Sequence, residues 1–142
     1  MLKQVFGLTM ALALICPWAA HAETIVAHET EKYFYSEGKM QKFDGQYENT
    51  YYLNFDKDTL IRTRVYDYQT KKITPDETVY HIEKTLRSDP TNAARYSLQP
   101  VIRAVGHPDK DSVQTILIKE DGVETVTSTA DGFVLSRARK LR

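Results

Sequence analysis

The stretch VQTILIKEDGVETVTSTADGFVLSRAR, residues 113–139, decides the fold. Its side chains alternate: Ile116 and Ile118 oppose Val113, Thr115 and Leu117, while Phe133, Leu135, Arg137 and Arg139 oppose Val134, Ser136 and Ala138. A period of two marks half-buried strands, because successive strand side chains point to opposite faces. Asp121-Gly122 and Asp131-Gly132 interrupt the alternation, and both pairs tolerate the positive φ of tight hairpins. These segments are expected to form an antiparallel meander.

Outward from that stretch the same rhythm recurs, with turn residues at the spacing of antiparallel sheet. The pattern predicts about eight strands, near Lys32 to Ser36, Tyr47 to Phe55, Leu60 to Tyr68, Thr78 to Leu86, Leu98 to Val105, Val113 to Lys119, Val123 to Ser128 and Phe133 to Arg139. Asp56-Lys57-Asp58 reads as a short hairpin loop, and Gln69 to Asp76 and Gly106 to Asp111, containing Pro75 and Pro108, as longer connections. Glu23 to Glu31 is polar and reads as a loose lead-in. Ser88 to Arg95 combines capping residues, Pro90 and two alanines, which predicts one short helical turn over residues 89–95. The expected fold class is all-β, and closing the strands into a small barrel removes the exposed edges that an open sandwich would keep.

This succession of strands, with two Asp-Gly hairpins before a basic terminal strand, resembles the calycin group of barrels, which includes the lipocalins and fatty-acid-binding proteins, over residues 32–139. The resemblance is one of architecture and implies a lipocalin-like barrel with an interior that accepts a small molecule. The lipocalin Gly-x-Trp signature is absent, and Arg137-Ala138-Arg139 differs from the Arg-x-Tyr pair of fatty-acid-binding proteins.

At the N-terminus, Lys3 precedes an apolar stretch from Val5 to Ile15, and Ala20-His21-Ala22 places small residues at the −3 and −1 positions of a cleavage site. Residues 1–22 are expected to be a cleaved, bacterial Sec-type signal peptide, leaving 23–142 as a single β-rich domain that is periplasmic or secreted. The apolar run falls short of the ~20 residues of a spanning helix, so no membrane span is expected after cleavage. Lys3 is the only charged residue of the first 22, so 18 of the 19 basic residues remain against 19 acidic ones, a balance that does not favour nucleic acid. Cys16 and Trp18 leave with the signal, which removes disulfide, thiol and cysteine–metal chemistry from residues 23–142.

Leu60 to Tyr68 carries the most unusual pattern, with Arg62, Arg64, Tyr66 and Tyr68 on one face and Ile61, Thr63 and Val65 on the other. If the first face is inward, guanidinium and phenol groups could fix a carboxylate or phosphate head group. If the second is inward, the arginines are solvated. Phe133 and Leu135 place Arg137 on an inner side, near Tyr33 or Tyr35 if the first and last strands meet. His28, His81 and His107 form no HExxH-like pair, so no metal or cofactor is expected. No GxSxG or glycine-rich phosphate loop occurs, and nothing in the pattern supports catalysis. Two functions remain. One is an exported, non-enzymatic barrel that binds a small amphipathic or anionic molecule through Arg62, Arg64, Tyr66, Tyr68 and Arg137. The alternative is an envelope protein that binds another protein, as an inhibitor or accessory subunit, through the loops Gln69 to Asp76 and Gly106 to Asp111.

Overall fold

Nine strands fill most of residues 22–86 and 101–141, the part of the chain that the computed structural model describes: β1 (Ala22–Ser36), β2 (Lys39–Asp44), β3 (Tyr47–Asn54), β4 (Thr59–Asp67), β5 (Lys72–Leu86), β6 (Val101–Gly106), β7 (Val113–Ile118), β8 (Gly122–Thr129) and β9 (Gly132–Lys140). Each pairs antiparallel with its neighbour in the order β2-β1-β3-β4-β5-β6-β7-β8-β9, and β1 also pairs with β9. That last pairing closes the sheet. β2 and β3 share one edge of β1: Glu31–Ser36 pairs with β2, and Ala22–His28 with β3. The result is a closed antiparallel barrel of eight strands with β2 as an extra outer strand, and the meander from β7 to β9 lies where the alternation placed it.

Several expectations are corrected. Residues 23–31 are no lead-in but the first half of β1, where Ile25, Ala27 and Glu29 are buried in alternation with the more exposed Thr24, Val26, His28 and Thr30. β2 is an additional strand without the alternating rhythm, because every one of its side chains is exposed and no apolar face betrays it. Lys72–Asp76 belongs to β5, which reduces the expected long connection after Gln69 to a tight turn. Left-handed φ values between 49° and 74° occur at Glu37, Gly38, Asp58 and Lys71, whereas Asp121-Gly122 needs none. Gly122 instead lies so close to the Ala138 carbonyl, 2.8 Å from an ideal Cβ, that β8 leaves no room for a side chain there. The helical turn expected over 89–95 lies outside the described residues.

Two bulges, on β1 and β4, set which of those strands' side chains point inward. Against β9, β1 carries one extra residue at Thr30, and against β3, β4 carries one at Thr63. Each threonine hydroxyl donates to a neighbouring strand's carbonyl, Thr30 Oγ1 to Arg137 O (3.1 Å) and Thr63 Oγ1 to Thr50 O (3.3 Å). An extra residue reverses the inside–outside phase beyond it. Lys32 and Val65 therefore join Glu29 and Arg62 in facing the interior.

The interior is divided along the barrel axis. One half is filled by Ile25, Ala27, Tyr51, Leu53, Leu60, Tyr80, Ala104, Ile116, Ile118 and Val123, all almost wholly buried. Each large side chain there contributes about 1.5–3 kcal/mol by leaving water. Among the described residues no helix is long and apolar enough to cross a membrane.

Candidate functional site

The other half of the barrel, beside the β1–β2, β4–β5 and β8–β9 turns, holds a cavity of about 280 Å³. Ten of its twelve lining residues carry a polar side-chain group, although the surface they present to the cavity is largely carbon. Arg62 points in from β4, where Nε and Nη2 lie 3.0 and 2.9 Å from Asp76 Oδ2 on β5. Its remaining nitrogen, Nη1, donates to Gln114 Oε1 on β7 at 3.3 Å. That oxygen also accepts from the Tyr80 hydroxyl (2.5 Å), and Gln114 Nε2 donates to Thr127 Oγ1 (2.7 Å), so the amide is held from three strands. Burial alone would raise the Asp76 carboxyl, but hydrogen bonds from the Thr78 hydroxyl and amide, with Arg62, outweigh it and hold the group below its ordinary range. Burial pushes the Tyr80 phenol up to about 12 and the Tyr51 phenol higher still.

Across the cavity Glu29 is 4 % exposed. Ser136 Oγ donates to its Oε2 (2.6 Å) and the Gln46 amide to its Oε1 (3.0 Å), while Lys32 Nζ stands 3.6 Å away and 4.5 Å above the Tyr47 ring. A buried carboxylate is tolerable only with such partners. Glu29 with Lys32, and Arg62 with Asp76, are pairs of opposite sign, so these four groups give the cavity no net charge.

A groove of about 560 Å³ continues from the cavity, sharing Lys32 and Val134 with it. Phe34 of β1 and Phe43 of β2 form its apolar wall, 39 % and 49 % exposed, and Gln69 lies at its border. β2 thus extends one side of the barrel as an outer flap, while its partner β1 stays paired to β9 in the barrel wall.

Of the residues singled out from sequence, Arg62 alone lines the cavity. The bulge at Thr63 splits the expected face, so that Val65 turns inward while Arg64 is exposed and Tyr66 lies outside, its ring 5.0 Å from Tyr68. Tyr68 packs against His28 (4.7 Å) and donates to Glu48 (2.6 Å), and burial with that carboxylate raises its phenol to about 12. Arg137 lies near Tyr33 through the expected β1–β9 pairing, but on the outer surface, 3.1 Å from Glu31 Oε1 and 3.6 Å from Glu124 Oε1. The Tyr33 hydroxyl, Lys42 and Arg137 together draw the Glu31 carboxyl down to about 2. Phe133 also lies outside, stacked on Tyr35 at 5.0 Å, whereas Val134 and Ser136 face the cavity.

Glu29, Lys32, Asn49 and Gln114 line the cavity and escaped the sequence reading. One signal was available: Gln114 is in phase with Ile116 and Ile118, and Glu29 with Ile25 and Ala27, which places a polar residue on an inward apolar face. Among the described residues no group of three or more histidine, cysteine, aspartate or glutamate side chains could hold a metal ion.

Compared with protein families, curated proteins and solved structures, the chain matches none. Geometry alone carries the assignment of fold, a closed eight-stranded antiparallel barrel with one outer strand, consistent with the calycin and lipocalin superfamily in general.

Proposed function

We propose that this domain is an exported binding module that cradles a small amphipathic molecule. The carrying observation is the joining, through Lys32 and Val134, of a cavity that holds fixed polar groups within a largely carbon surface to a groove walled on one side by Phe34 and Phe43, the combination small-molecule sites require. The signal-like segment at residues 1–22 supports export to the periplasm. The reading in which loops engage an envelope protein has less support, because Lys72–Asp76 is strand and His107 Nδ1 ties its own turn to Ser112 O at 3.1 Å.

Native mass spectrometry of protein purified from its own cell envelope tests both parts. The expected spectrum shows a chain beginning at Glu23 with one small molecule per barrel, and Val134→Trp, which fills the junction of cavity and groove, loses that molecule. A chain that keeps residues 1–22 overturns export, and a spectrum without any bound small molecule overturns the cradle.

A further inference from the structure

Resting on the cradle reading, we propose that the bound molecule has an uncharged, hydroxyl-bearing head and a single apolar chain, the head lying among Asn49, Gln114, Thr125 and Thr127 and the chain along Phe34 and Phe43.

The argument begins with charges already satisfied. All three Arg62 nitrogens face partners, Nε and Nη2 on Asp76 and Nη1 on Gln114. Both Glu29 oxygens accept hydrogen bonds, and the Lys32 ammonium stands beside Glu29 and over Tyr47. An ionic head placed here would lose its water and meet only cations already paired, reaching Arg62 in competition with Asp76 and Lys32 in competition with Glu29. Acidic groups at the mouth oppose a carboxylate further: Asp44 borders the groove, and Asp67 is bound to Gln46 Nε2 at 3.1 Å.

Hydroxyl groups need only short neutral partners. The Asn49 amide on β3 and the Thr125 and Thr127 hydroxyls on β8 supply donors and acceptors from two strands around the cavity. Thr127 accepts from Gln114, which leaves its own hydroxyl hydrogen to donate.

The chain follows from the groove. Phe34 and Phe43 lie on the cavity side of β1 and β2, since Phe43 pairs with the inward Lys32 and Phe34 with Val134 on β9. Both rings stand partly exposed in the groove that continues from the cavity, and covering them removes apolar surface from water. A smaller chamber carrying the fixed neutral polar groups and a larger channel bordered by two phenylalanines suit a compact head and a longer tail, and together they fall within the ~300–1,000 Å³ usual for small-molecule sites.

Isothermal titration of the purified protein with n-decyl β-glucoside, n-octyl β-glucoside, decanoate and decyltrimethylammonium, all below micelle formation, tests the assignment. The decyl glucoside is expected to bind at least ~10-fold more tightly than either ionic amphiphile and about 10-fold more tightly than the octyl glucoside. Phe43→Ala, at an exposed side chain, should shrink the difference between the two glucosides. Asp76→Asn, checked for folding by circular dichroism, should release Arg62 and strengthen decanoate binding. Decanoate or decyltrimethylammonium binding as tightly as the glucoside to the unaltered protein overturns this inference and leaves the cradle standing. Failure of all four probes to bind overturns the cradle and the inference with it.

Discussion

Arg62 faces the interior because it precedes the bulge at Thr63, and Arg64 faces water because it follows it. No property of the two arginines distinguishes them, and period-two counting through Thr63 necessarily placed both on one side. Arg62 is 17 % exposed, and its removal strips Asp76 of its cation and Gln114 of a donor. Arg62→Met should therefore cost about 2–4 kcal/mol in urea unfolding, while the double variant with Asp76→Asn should recover part of that loss. A different ionic group works on the outer surface. The Glu31 carboxyl is held near 2 by Tyr33, Lys42 and Arg137, below its ordinary 4.5, so its stabilisation is complete above the unfolded value and is lost as pH falls through the folded one. The melting temperature of Glu31→Gln should lie below that of the unaltered protein at neutral pH, and the gap should close between about pH 4.5 and 2. A gap of constant size across that range would show that charge is not the cause.

At the scale of elements, alternation revealed most strands because a buried face imposes it, and it failed where that cause was missing. β2 buries nothing, and β1 is so long that its inward set changes from Ile25, Ala27 and Glu29 to Lys32 halfway along. Bulges are written in the pairing of two strands rather than in either sequence, which hides them from a linear reading. Pro75 was the one hint. It lacks an amide hydrogen and sits beside the irregularity between β4 and β5, where a proline is tolerated in a strand. The passage from β2 to β3 depends on Gly45, whose amide donates to Thr30 O at 3.1 Å and whose Cβ, were there one, would collide with the Glu29 carbonyl. Gly45→Ala should lower stability by about 1–3 kcal/mol in thermal or urea unfolding, and amide exchange should quicken in residues 39–46 before the rest. Unchanged exchange there would separate Gly45 from the attachment of the flap.

Across the whole molecule, closure was legible from strand number and the cost of open edges, but the division of the interior was not. Ligand space arises from which inward positions are polar at one end of eight strands, a sum over distant residues such as Glu29, Arg62, Gln114 and Ser136. The tyrosines report on this closed state. Phenols at Tyr47, Tyr51, Tyr68 and Tyr80 are raised, in each case first by burial, so folding favours their neutral forms. Their contribution is complete below the unfolded value near 10 and is lost as pH climbs through the folded values. Phenolate absorbance should therefore rise in two stages, the exposed rings first and Tyr51 and Tyr80, which are wholly buried, with the cooperative loss of the sheet's dichroism. A single smooth rise at ordinary tyrosine pH would contradict the burial of those two rings.

The Gln46 amide rests on Glu29, and the Gly45 amide rests on the carbonyl of Thr30 next to it. The acid buried in the chamber wall is thus also the latch of the hinge from which the flap extends. A change at that carboxylate is therefore transmitted to the attachment of β2, whose Phe43 faces the groove with Phe34.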